Sequence, residues 1–93
     1  MGTAGLVMKY SWKALPIAGV AALRDELGNN AGLIYRSENF VAAYMARHNG
    51  AVMFKNIKGR YSLLGVYPSL KTAGRAVENE IRSINFGLGR GTL

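Results

Sequence analysis

The sequence has no cysteine, one histidine and five acidic residues among 93. Missing thiols exclude a disulfide scaffold, a thiolate-ligated metal and a cysteine nucleophile. One histidine and a few scattered carboxylates leave little for a metal site or an acid–base pair. Asp25 and Glu26 are adjacent, and Glu78 and Glu80 lie two apart on an expected helix. Neither pair converges at such spacings, and Glu78 reads better as the i,i+4 partner of Arg82. No serine stands in a nucleophile-elbow context. There are only two prolines, and no apolar run approaches the ~20 residues that span a bilayer. The expectation is a non-enzymatic chain with no cofactor and no metal.

What is present is apolar residues and positive charge. The chain is 49% hydrophobic, too rich for a disordered tail and short enough for one domain. Residues 1–86 are expected to form a single compact domain, with 87–93 a flexible glycine-rich tail. The net charge of +7 is uneven. Residues 1–50 carry five Lys and Arg against three acids, a net of +2, while residues 51–93 carry seven against two, a net of +5. A polyanionic partner is implied, and it should meet the second half first.

The segment from Met8 to Leu23 admits two readings. Its basic front and apolar run resemble a signal peptide, although Pro16 interrupts the run and Arg24-Asp25-Glu26 follow directly. The preferred reading is a short strand over Met8–Trp12 and a helix over about 16–27. Pro16 would sit in its first turn and Gly28 at its C-cap, with Ile17, Val20, Leu23 and Leu27 at helical spacing. Gly32 to Arg36 is a short strand candidate. Ser37 is a good N-cap for a helix over 38–48 that Asn49-Gly50 would stop. His48 lies on its apolar stripe and is expected to be packed and partly buried.

Residues 51–67 read as a β-hairpin, with Val52-Met53-Phe54 as one arm and Arg60 to Tyr67 as the other. The turn falls at Asn56 to Gly59, and Pro68 ends the second strand. A last helix over 69–84, capped by Ser69, carries Leu70, Ala73, Val77, Ile81 and Ile84 on one face. The expected fold is α+β: a small antiparallel sheet, with the 51–67 hairpin and one or two short strands, packed by two or three helices. The expected core is Ile17, Val20, Leu23, Leu27, Ile34, Phe40, Val41, Tyr44, Val52, Phe54, Leu63, Val66, Leu70, Val77 and Ile81.

The basic residues form the strongest functional pattern. Lys55, Lys58 and Arg60 fall at the hairpin tip, Lys71, Arg75 and Arg82 on the outer face of the last helix, and Arg90 in the tail. Such charges supply most nucleic-acid affinity by neutralising phosphates. Tyr61 and Tyr67 on the same hairpin are placed to stack on bases, or else to sit in the core. The competing reading is a solvated helix face and lysine-protected turns. Gly87-Leu88-Gly89-Arg90-Gly91 looks like a phosphate loop but lacks the following helix that such a loop requires.

The stretch Gly59-Arg60-Tyr61-Ser62-Leu63-Leu64-Gly65-Val66-Tyr67-Pro68-Ser69-Leu70-Lys71-Thr72-Ala73-Gly74-Arg75-Ala76 resembles part of the AP2-type DNA-binding domains. Residues 51–82, about a third of the chain, follow their strand–strand–helix rhythm. The resemblance implies a hairpin packed on an amphipathic helix, and DNA contact through strand residues. Ala51-Val52-Met53-Phe54 departs from the arginine- and tryptophan-bearing strands of that family, leaving Lys55 and Arg60 for such a role.

The sequence therefore points to a small basic nucleic-acid-binding module, contacting the phosphate backbone through Lys55, Lys58, Arg60, Tyr61, Lys71, Arg75, Arg82 and Arg90. The alternative is a small phage or mobile-element accessory protein that binds and inhibits a host protein or nucleoprotein complex, such as a defence nuclease, through an acidic face. Homo-oligomerisation and a cytoplasmic location fit either reading.

Overall fold

The computed structural model describes residues 9–91, with side chains described through Ile84. Five strands are followed by one helix: β1 (Tyr10–Ala14), β2 (Val20–Asp25), β3 (Asn30–Arg36), β4 (Val41–Ala46), β5 (Tyr61–Tyr67) and α1 (Leu70–Gly91). The strands form one antiparallel sheet in the order β1-β2-β3-β4-β5. A short connection forces its two strands to run antiparallel as neighbours, and three of the four links here are short. Gly19, at φ 78°, completes the β1–β2 turn, and the Arg36 N–H donates to its carbonyl at 2.8 Å. The β3–β4 turn closes with the Ser37 N–H on the Phe40 carbonyl, also at 2.8 Å.

The helices expected at 16–27 and 38–48 are strands, and α1 is the single helix among the described residues. The reason lies in how β2 and β4 are covered. Val20-Ala21-Ala22-Leu23 and Val41-Ala42-Ala43-Tyr44-Met45 are packed on both faces, so apolar residues appear at every position. Period-2 alternation disappears, and accidental three-residue spacings imitate a helix. Gly19 in the left-handed region would also interrupt a helix over 16–27. Ser37 closes a turn instead of capping a helix.

The 51–67 hairpin is also replaced. Tyr61–Tyr67 pairs along its length with β4, and of the expected first arm only Val52 forms a backbone pair with it, in one bridge to Tyr61. The connection formed by residues 47–60 instead folds back over the sheet. Its Val52, Phe54 and Ile57 join Leu15 and Ile17 in covering Val20, Ala22, Leu33 and Tyr61. On the opposite face α1 brings Ala73, Val77 and Ile81 against Leu23, Ile34, Ala43 and Met45. Alanine and glycine permit this close layering: a Cβ on Gly32 would stand 2.5 Å from Val77 Cγ1.

Several expected core residues lie outside. Leu27 is 77% exposed on the β2–β3 turn, and Phe40 and Leu70 are also exposed. Leu63 and Val66 are exposed as well, at 56% and 58%. These two are three apart yet share a face, because the register shifts between Ala43 and Tyr44: Leu63 pairs with Tyr44, Gly65 with Ala43, and Val66 with Ala42. Leu64 is the extra residue and packs with the α1-side core. Ala22, Leu33, Ala42, Ala43, Met45, Tyr61 and Ala73 are buried in their place.

α1 begins as its sequence dictates. The Ser69 hydroxyl accepts from the Thr72 N–H at 3.2 Å, and Thr72 Oγ1 accepts from the Ser69 N–H at 3.3 Å. This reciprocal cap satisfies two backbone donors near the helix start. Farther along, the Trp12 indole N–H donates to Glu78 Oε2 at 2.7 Å, tying the edge strand β1 to α1. Glu78 is thus turned to the sheet and not to Arg82, whose Nη1 donates to Asn79 Oδ1 at 3.1 Å. Among the described residues, no helix is long and apolar enough to cross a membrane.

Candidate functional site

The expected basic surface is divided by the sheet. Lys71, Arg75 and Arg82 are exposed on α1, which covers one face. Lys55, Lys58 and Arg60 are exposed on the 47–60 connection, which covers the other. Arg90 belongs to α1 beyond the described side chains. Two layers of packed side chains therefore separate the groups that the sequence placed together.

Lys58, Arg60 and Tyr61 instead join residues from three other parts of the chain. They line a cleft of ≈ 920 Å³ with Leu15 and Pro16, Arg24, Gly28-Asn29-Asn30, Ala46-Arg47-His48 and Asn56-Ile57. Among the described residues, no aspartate or glutamate lines it. One wall is the β2–β3 turn and the other is the 56–60 stretch. Both walls bend sharply through left-handed residues: Gly28 at φ 84°, Asn56 at φ 66° and Gly59 at φ 112°. Glycine adopts this region without a Cβ clash, and asparagine tolerates it better than most side chains.

The cleft is held by a continuous chain of hydrogen bonds. Arg24 Nε donates to Asn30 Oδ1 at 2.9 Å. Asn30 Nδ2 donates to Tyr61 Oη at 3.1 Å, and Tyr61 Oη donates to the Lys58 carbonyl at 2.7 Å. Tyr61 is only 1% exposed, so its ring belongs to the core and its hydroxyl fixes the wall. The ring packs edge-on to Phe54, which in turn packs edge-on to Tyr44. Tyr61 is thus unavailable for base stacking. Tyr67 is partly buried against the α1-side core and is remote from the cleft lining.

The basic residues of the lining differ in freedom. Lys58 and His48 are exposed. Arg24 is half-buried, with its Nε oriented by Asn30 and its two terminal nitrogens outside that bond. Arg60 is turned along the connection: Nε donates to the Gly50 carbonyl at 2.6 Å and Nη1 to Met53 Sδ at 3.2 Å. Arg47 Nη2 stands 3.7 Å from Glu80 Oε2 on α1. Asp25 is occupied by its own turn, where Oδ1 accepts from the Leu27 and Asn29 N–H groups at 2.9 Å each. Arg24 and Lys58 thus present positive charge to a concavity whose lining also includes Asn29, Asn30 and Asn56. Such a set is suited to an oxyanion.

Sequence reasoning located Lys58, Arg60 and Tyr61 but missed Arg24, Asn30 and His48. His48 was expected on a packed helical stripe and stands exposed in a turn after β4. The chain matches no protein-family model, no curated protein and no solved structure.

Proposed function

We propose that this protein is a small basic module that binds nucleic acid through phosphate contacts in the cleft between the β2–β3 turn and residues 56–60. The observation that carries this reading is a cleft whose described lining residues include Arg24 and Lys58 and no aspartate or glutamate. A net charge of +7 adds long-range attraction for a polyanion. Neutralised phosphates release counterions, so the affinity falls with salt. With Arg24 and Lys58 each engaging one phosphate, the slope of log K against log salt is about −1.4 for a single strand. Fluorescence anisotropy with labelled DNA and RNA across a salt series tests the reading. No binding to either at low salt refutes it.

A second reading is favoured by a separate observation. Tyr35, Phe40, Leu63 and Val66 leave apolar surface exposed on the β3–β4–β5 part of the sheet. Exposed apolar clusters mark protein contacts more often than nucleic-acid contacts. In this reading the chain is an accessory protein gripping a protein partner, and its complex survives nuclease treatment. Replacing Leu63 and Val66 by aspartate would dissolve that complex while leaving nucleic-acid affinity unchanged.

A further inference from the structure

We infer that Arg24 is the phosphate-gripping residue of the cleft, and that Asn30 and Tyr61 are positioning residues that hold its guanidinium ready. The inference rests on the nucleic-acid reading and names the residues that carry it. A bulge brings Arg24 and Asn30 together. Leu23 pairs with Gly32 but Arg24 pairs with Asn30, so Ala31 is the extra residue of β3. Ala31 packs with the α1-side core, and Asn30 turns to the cleft side, where it meets Arg24 and Tyr61. In an unbroken ladder Asn30 would pair with Asp25 and point to the α1 side instead.

The hydrogen-bond relay has one possible polarity. The Lys58 carbonyl can only accept, so the Tyr61 hydroxyl donates to it at 2.7 Å. Tyr61 Oη then accepts from Asn30 Nδ2 at 3.1 Å, which turns Asn30 Oδ1 to Arg24 Nε at 2.9 Å. Tyr61 is buried, so the relay is anchored in the core. With Nε held, Arg24 Nη1 and Nη2 have no hydrogen-bond partner among the described residues, and neither is buried. Two such terminal nitrogens form a planar fork that matches two oxygens of a phosphate. Holding the fork in advance reduces the freedom lost on binding. The other arginines of the lining are engaged: Arg60 by Gly50 and Met53, Arg47 by Glu80. Lys58 supplies charge without a fork.

The test follows the Arg24 Nε–H resonance of the ¹⁵N-labelled protein during titration with oligothymidylate and, separately, with inorganic phosphate. The resonance is expected to be protected from exchange before either is added, and to shift with both. Arg24→Lys keeps the charge and is expected to weaken oligothymidylate binding about fivefold in anisotropy, because an ammonium cannot span two oxygens. Asn30→Ala is expected to cost severalfold in the parent protein and nothing in the Arg24→Lys background, a dependence that a merely structural role would not give. Lys58→Gln is expected to weaken binding and leave the Arg24 resonance protected. Oligothymidylate that binds with the Arg24 resonance unmoved, or as tightly to Arg24→Lys as to the parent, overturns the inference while the nucleic-acid reading stands. An equal loss from Asn30→Ala in both backgrounds overturns the positioning role. A shift with inorganic phosphate while no oligonucleotide binds keeps the grip and defeats the nucleic-acid reading, and no response to either ligand defeats both. Thermal melts of each variant confirm that the fold is retained.

Discussion

The Tyr61 hydroxyl donates to the Lys58 carbonyl at 2.7 Å, so the first residue of β5 fixes the wall that carries a cleft cation. The same oxygen accepts from Asn30 at 3.1 Å, which joins that wall to the opposite one through Arg24. Core and site are one construction here: the buried ring anchors the sheet and its polar end shapes the cleft.

Tyr61→Phe keeps the ring and removes both bonds. A stability loss of about 1–2 kcal/mol is expected, because the Lys58 carbonyl and the Asn30 amide each lose a partner. Chemical denaturation measures it. Hydrogen exchange should show residues 56–60 opening more readily while β2 to β4 stay protected. Unchanged exchange there would show that the connection is held by packing alone.

Two glycines should respond to alanine with opposite signs. A Cβ on Gly50 would lie 2.5 Å from backbone atoms of Tyr61, which cannot yield without breaking the Val52–Tyr61 bridge. Gly50→Ala should cost about 1–3 kcal/mol. A Cβ on Gly74 would stand 3.5 Å from the Trp12 ring, in ordinary contact. Gly74→Ala should therefore stabilise α1 by about 0.5–1 kcal/mol. Denaturation midpoints of the two variants should fall on either side of the parent protein.

The corrected core predicts a contrast between Val77 and Leu27. Val77 is fully buried between α1 and the sheet, and its truncation to alanine should cost about 2 kcal/mol. Leu27 lies exposed on its turn, and Leu27→Ser should change stability by less than about 0.5 kcal/mol. A helix over 16–27 would reverse the sensitivity of Leu27.

The contact between Trp12 and Glu78 fixes the helix against edge strand β1. Glu78→Ala should destabilise the protein by about 1 kcal/mol. In a double-mutant cycle with Trp12→Phe the losses should not add, whereas Glu78 and Arg82 should behave independently. Coupling between Glu78 and Arg82 would restore the i,i+4 pair that the sequence suggests.

Local signals were readable in the sequence; long-range ones were not. Pro68, Ser69 and the Ala73–Val77–Ile81 stripe announced α1, because capping and one-sided burial are written within a few residues. β5 was legible through its apolar residues and its terminal proline. β2 and β4 were misread because both faces are covered, and that cover comes from α1 and the 47–60 connection, far along the chain. The site divides in the same way. Lys58, Arg60 and Tyr61 are sequence neighbours, but Arg24, Asn30 and His48 reach the cleft only because the meander brings its β2–β3 and β4–β5 connections to one end of the sheet. Lys71, Arg75 and Arg82 shared the charge pattern and ended on the other layer.

The most direct test is a titration of the uniformly ¹⁵N-labelled protein with oligothymidylate, followed residue by residue through amide chemical shifts. The cleft reading predicts progressive shifts at Arg24, Gly28 to Asn30, His48 and Asn56 to Tyr61, with Lys71, Arg75 and Arg82 undisturbed. Shifts concentrated along α1, or none at saturating oligonucleotide, would contradict it.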